Sequence, residues 1–258
     1  MEKPEETTFS IKIDEQLFRR RACQRFLPNV KDEESSLSFR FSELKSSRRC
    51  IFSSSNNFYI SGPYGSCRTN RGFINEGRYY WEFSFADFDC QKTHVRVGIS
   101  NIKAIIEAPI GYDTNGYSIK DSGEVFHNSE SIQMTPFNLN DTIGIGYETS
   151  EGRGNLYYWV NGVGPIKAFE GIDSSQEWFP SVSVYYGSSV TGSFNSPFAF
   201  EPGEQWSPAE ESPIDERNEK YSIEDIFGII KRGQLSELNE EIALIIDTGL
   251  TPGEEHPN

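Results

Sequence analysis

The chain has 258 residues, is 14% aromatic and carries a formal net charge of −15. That length holds one large domain or one domain with appendages; its longest apolar runs, such as IALII from Ile242, are too short for a membrane-spanning helix, and with no apolar stretch near Met1 no secretory signal is expected. The charge is unevenly placed: residues 201–258 hold fifteen acidic and four basic residues, net −11, leaving −4 for residues 1–200. An acidic tail of this kind serves solubility or interaction and is poorly suited to nucleic-acid phosphates.

Residues 1–35 form a polar, partly basic segment, with a short strand or helix over Phe9–Ile13 or Glu15–Phe26. Its cluster of Arg19, Arg20, Arg21 and Arg25 has two readings, a solvated helix face or a weak, salt-sensitive contact to DNA. Residues 36–200 read as a succession of short strands, from period-two alternation bounded by Gly, Asn, Asp and Pro. The expected strands are Cys50–Ser53, Phe58–Ser61, Tyr79–Phe85, His94–Ser100, Gly116–Ile119, Glu124–His127, Thr142–Glu148, Asn155–Val160, Ser181–Tyr186 and Thr191–Phe194. Asn161-Gly162 after LYYWV signals a tight hairpin, because both residues tolerate positive φ. Many short strands without intervening helices predict an all-β fold, an antiparallel sandwich.

Residues 201–219, rich in acids, Pro and Ser, read as a linker. Residues 220–250 read as a helical tail. Ile223, Ile226, Phe227 and Ile230 recur at helical spacing, with Ser222 as N-cap and Asp225 three residues on. Gly228 lowers the stability of so short a helix by about 1 kcal/mol relative to Ala, so it needs a surface to lie on, its own sandwich or a partner. A second stripe over 235–248 uses Leu235, Leu238, Ile242, Ile245 and Ile246, with Gly249 as C-cap.

Chemistry-bearing residues are sparse. Cys23, Cys50, Cys67 and Cys90 are widely spaced, without a C-x-x-C pair or a histidine at metal spacing, so they read as reduced structural thiols and no zinc site is expected. His94 and His127 have no nucleophile signature near them and read as structural. Asp87, Asp89 and Asp113 lack calcium-loop spacing and read as turn residues. No catalytic residue, metal or cofactor is expected. Trp81 and Trp159 read as core anchors, and Trp178 as a plug at one end of the sandwich.

The stretch Arg96–Lys120, RVGISNIKAIIEAPIGYDTNGYSIK, mixes cations, proline and tyrosines in a way that suits gripping another chain. Alternation places Arg96 opposite Val95 and Val97, and places Tyr117 and Ile119 opposite Ser118 and Lys120. Tyr117 therefore belongs to the core. Arg96 read from its strand alone is a solvated arginine, Lys120 is exposed, and Tyr112, in a Gly-Tyr-Asp turn, is a binding candidate. Pro109 fixes φ and keeps Ala108 extended.

The ordered series GRYYWEF, VRVGIS, GYDTNGYSI, EVFHNS, NDTIGIGYE, LYYWVNGVG and WFPSVSVYYGSSVTGSFNSPF resembles a SPRY domain, over roughly residues 58–200. The segment RVGIS…APIGYDTNGYSIKDSGEVFHNS resembles the ASH-two (Bre-two) type, a trithorax-group family. That resemblance implies a non-catalytic nuclear scaffold of an MLL/COMPASS complex, which methylates a lysine of the histone-three tail and contains a SET-domain methyltransferase. It implies a cleft of Tyr64, Arg96, Pro109, Tyr112 and Lys120 that receives an acidic segment of a propeller subunit resembling retinoblastoma-binding protein five. Lys120 stands where the family carries Arg, keeping the charge without the bidentate fork. The tail stripe resembles the helix that docks on a Dpy-thirty-type dimer. The family's N-terminal zinc-finger and winged-helix region has no counterpart in this sequence. A generic SPRY adaptor, such as a ubiquitin-ligase substrate receptor, is the alternative, without a RING, B-box or cullin-box pattern to support it; a sandwich hydrolase would need paired carboxylates that the sequence does not offer.

Overall fold

Strands form wherever alternating residues give one side to a common core. The computed structural model describes residues 38–213 other than Leu44, Ser61, Asp87, Asp89, Cys90 and Gln91. In chain order the strands are β1 (Phe41–Ser42), β2 (Ile51–Ser54), β3 (Asn57–Ile60), β4 (Gly65–Thr69), β5 (Gly77–Ala86), β6 (His94–Ser100), β7 (Gly116–Lys120) and β8 (Glu124–His127). They continue as β9 (Glu130–Gln133), β10 (Ile143–Ser150), β11 (Arg153–Val160), β12 (Val163–Asp173), β13 (Phe179–Tyr185), β14 (Ser188–Ser193) and β15 (Ser207–Pro208), followed by a 3-10 turn at Ala209–Glu211. One sheet runs β1-β4-β13-β6-β7-β8-β9; the other runs β12-β11-β10-β5-β14-β3-β2, with β15 added parallel to β5. The remaining described pairings are antiparallel, so the expected all-β sandwich is the observed fold.

The two inner faces supply the core. Val95, Val97 and Ile99 of β6, Ile119 of β7, and Val182 and Val184 of β13 face Trp81 and Phe83 of β5, Ile143, Ile145 and Tyr147 of β10, and Leu156 and Tyr158 of β11, all buried in one cluster. Such side chains each contribute roughly 1.5–3 kcal/mol on leaving water. Phe73 stacks on Tyr79 at 4.7 Å and lies 5.4 Å from Trp81. Trp178 closes one end, bridging to Phe73, its indole donating to the Asp173 carbonyl (2.8 Å). Asn161 and Gly162 have φ of 48° and 76°, as the hairpin signal required. Cys50 and Cys67 are both buried.

Three strands of some length escape sequence alternation. β4 is buried throughout because a loop covers its outward face. β9 is exposed throughout, on a sheet edge. β12 is a bulged edge strand carrying Gly and Pro in its sequence, and reads locally as loop.

The domain also runs past the boundary expected at residue 200. Residues 201–213 are not a free linker: Trp206 and Ala209 are buried, and β15 pairs with β5. The reason is a second aromatic cluster on the outer face of the larger sheet, where Tyr80 and Trp159 meet Phe198 and Trp206. Trp159 is thus buried, but outside the central core. Glu82, 3% exposed, fastens the start of this segment. Its carboxylate accepts from the Ala199 and Phe200 amides (2.8 and 2.9 Å) and the Tyr80 hydroxyl (3.0 Å). Arg71 donates to the Glu210 and Ser212 carbonyls (2.6 and 2.9 Å) at its end. The segment 1–35, with its arginine cluster, and the helical patterns over 220–250 lie outside the described residues.

Candidate functional site

Residues paired across a ladder share a face, so register gives the outward face of the smaller sheet in rows. One row is Ser66, Ser183, Arg96 and Lys120; the next is Arg68, Ser181, Gly98, Ser118 and Phe126. Across this polar face lies the loop between β6 and β7, residues 101–115. Its carbonyls have no strand to pair with, so side chains and turns satisfy them. The Ser66 amide donates to the Ile106 carbonyl (2.8 Å) and its hydroxyl to the Ala108 carbonyl (2.7 Å). Ser47 and Arg49 hold the Glu107 carboxylate, at 2.9 and 2.5 Å. Ile110 is held at three points: its amide donates to Ser183 Oγ (3.1 Å), and its carbonyl accepts from Ser118 Oγ (2.7 Å) and Arg96 Nη1 (3.0 Å).

Gly111 follows with φ of +82°, and a Cβ there would lie 2.5 Å from the Phe126 carbonyl oxygen. Glycine is required on both counts. The turn continues with the Tyr112 amide donating to the Pro109 carbonyl (3.1 Å), and the Ser129 hydroxyl donating to the Tyr112 carbonyl (2.7 Å).

Arg96 is the centre of the site. It is half-buried rather than solvated, because its guanidinium lies 3.7 Å from the Phe126 ring centroid and 6.0 Å from that of Tyr64. Its Nε is buried and has no hydrogen-bond partner. Burial pushes the Arg96 pKa down, and Tyr64, then Glu124 and Asp121, push it back; burial likewise raises the Tyr64 phenol against the pull of Arg96. Tyr64 lies tilted against Tyr185 with ring centroids 4.8 Å apart, and Tyr185 meets the edge of Tyr186 at 4.8 Å. A guanidinium therefore sits in a strip of rings, an arrangement that accepts carboxylates and stacks with planar groups.

Of the five expected cleft residues, Tyr64 and Arg96 are in contact and Lys120 is the register partner of Arg96. Pro109 and Tyr112 ride on the loop that Arg96 holds through Ile110. Tyr112 is 55% exposed, whereas Lys120 is half-buried and pairs with Glu124 at 3.2 Å. Tyr117 and Ile119 pack inward as expected, but Ser118 on the outward side is fully buried because the loop covers it. Sequence reasoning missed Phe126, Tyr185 and Tyr186. Phe126 alternates with the buried Val125 and could have been placed outward by that signal. Tyr186 was assigned to a strand, yet it and Gly187 have φ of 52° and 66°, a tight turn that leaves its ring 45% exposed.

The histidines are held by neighbours. His94 Nδ1 lies 3.1 Å from the Asp121 carboxylate; the His127 ring stacks on Tyr117 at 4.0 Å, with Nδ1 3.0 Å from the Gly116 carbonyl. No helix among the described residues is long and apolar enough to cross a membrane.

The fold is a two-sheet antiparallel sandwich whose smaller sheet carries a loop-covered outward groove with a guanidinium among aromatic rings. Residues 78–197 match the family model of the SPRY domain, a protein-interaction fold. Among curated proteins the chain is similar to the Set1 complex component ash2 of Schizosaccharomyces pombe, 33% identical over 76 residues, or 29% of this chain. That match spans only 11% of the length of the relative. Among solved structures the fold is similar to the SPRY domain of human HERC1, with a TM-score of 0.52, 23% identity, and coverage of 59% of this chain and 96% of that one.

Proposed function

We propose that this chain is a non-catalytic scaffold subunit of a histone-three lysine methyltransferase assembly of the MLL/COMPASS type, working in the nucleus. The observation that carries the reading is Arg96, a half-buried guanidinium set between the Phe126 and Tyr64 rings. An acidic side chain of an extended peptide would pair with the exposed part of this guanidinium, with Tyr64, Pro109, Tyr112 and Lys120 forming the walls of the cleft. The occupant is an acidic segment of a propeller subunit resembling retinoblastoma-binding protein five. Similarity to a Set1 complex component supports this setting, with a SET-domain methyltransferase in the same assembly. The stripe Ile223, Ile226, Phe227 and Ile230 receives a Dpy-thirty-type dimer, and Arg19, Arg20, Arg21 and Arg25 add a weak DNA contact.

Affinity purification of the full chain with mass spectrometry tests the assignment. A methyltransferase, a propeller and a small Dpy-thirty-like chain are expected, and deletion of residues 221–232 removes the last of these alone. Recovery of ubiquitin-ligase subunits in their place would establish the adaptor reading instead.

A further inference from the structure

Arg68 is only 1% exposed, although its neighbours in the row are small: Ser181, Gly98 and Ser118. A guanidinium is rarely buried this deeply unless it is bonded on several sides. Its Nε donates to Ser100 Oγ (3.0 Å), which is joined in turn to Ser181 Oγ (2.8 Å). Its two terminal nitrogens reach across to the loop, donating to the Ile102 carbonyl (3.2 Å) and the Ala104 carbonyl (2.6 Å). The fork thus fixes two loop carbonyls, two residues apart, against the sheet, a task a lysine cannot perform in the same geometry.

The loop is clamped at two ends. Arg96, Ser118 and Ser183 hold Ile110 at the far end, and Arg68 holds the near end. Pro109 and Tyr112 belong to the far end. Chain segments rich in exposed backbone open locally at low free energy unless such bonds prevent it. We propose that Arg68 is a positioning residue for the peptide groove: it holds the 101–115 loop on the sheet, so that the Pro109–Tyr112 wall stands ready before a ligand arrives. This rests on reading the groove as a binding site. The benefit of a wall held in place is affinity, because ordering the loop would otherwise be charged against binding.

Full-length Arg68→Met, Arg68→Lys and Ser66→Ala variants test the inference with two readouts. Trypsin cleavage after the exposed Lys103 reports release of the loop, with cleavage after Arg78 and Arg153, in β5 and β11, as the control. Anisotropy of a fluorescein-labelled peptide of Glu, Asp and Tyr residues reports binding. Arg68→Met is expected to accelerate cleavage at Lys103 by about tenfold or more, with no change at Arg78 or Arg153, and to weaken the probe by about tenfold, since it loses two charged hydrogen bonds to the loop. Arg68→Lys restores part of both, and Ser66→Ala moves both in the same direction by less. Parent-like cleavage and affinity in Arg68→Met overturn the proposal, as does equal acceleration at all three sites. If Arg68→Met does not fold, unchanged Lys103 cleavage and affinity in the other two variants overturn it. Selective release of the loop in Arg68→Met, in a protein whose parent form binds no probe, would remove the groove reading and leave the clamp.

Discussion

Replacing Arg96 by alanine removes three things at once, and their sizes differ enough to be separated. The first is its charged bond to the Ile110 carbonyl, worth about 1.5–3 kcal/mol; Ser118 Oγ still donates to that oxygen, so no buried acceptor is orphaned. The second is contact with the Phe126 ring at 3.7 Å, worth about 0.5–2 kcal/mol. Together they predict a stability loss of about 2–5 kcal/mol, a fall in melting temperature of at least several degrees for a domain of this size. The third is the ligand contact that the proposed function gives it, at about 1.5–3 kcal/mol per charged hydrogen bond. A bidentate contact to a carboxylate then weakens binding by roughly 100- to 10,000-fold, at about 1.4 kcal/mol per tenfold. Arg96→Lys keeps the charge without the fork and should recover part of the affinity. Calorimetric titration with an acidic peptide, alongside a thermal melt of each variant, measures both effects. Alanine binding within about threefold of the parent, at a temperature where both are folded, would refute the role of Arg96.

Two further predictions concern the fold. Glu82→Gln replaces a buried carboxylate accepting from two backbone amides and the Tyr80 hydroxyl; a loss of about 2–4 kcal/mol is expected, with faster amide exchange over 198–212, and parent-like exchange there would show that the segment is held by its aromatic contacts alone. Glu148 is a source of acid sensitivity: burial raises its pKa, but hydrogen bonds from Tyr157, Arg78 and Asn155 outweigh that and leave it depressed. Its stabilisation is complete above the unfolded-state value of about 4.3 and is lost as pH falls below it, through the depressed folded value. Denaturant titrations across that range should give a shallower pH slope for Glu148→Gln than for the parent.

The sequence determined the sandwich because the core strands obey a local rule. Val95, Val97 and Ile99, or Ile143 and Ile145, alternate with residues facing the other way, and a period of two is visible without knowing the partner strand. The hairpin at Asn161-Gly162 is equally local. Arg96 could be assigned a face for the same reason. What covers that face could not, because the loop arriving over Ser66, Arg68 and Ser118 makes polar residues buried, and β4 then loses any alternation. The linker reading of residues 201–219 gives way over 201–213 for a similar reason: the composition is that of a free segment, while the burial comes from Tyr80, Glu82 and Trp159, far away in sequence. The site divides along the same line. Its cations, proline and turn tyrosine could be singled out as candidates from residue type and the family resemblance, but the contacts of Phe126 with Arg96 and of Tyr185 with Tyr64 exist only once β6, β7, β8 and β13 are brought into one sheet. Local pattern decides which way a side chain points, and tertiary structure decides what meets it there.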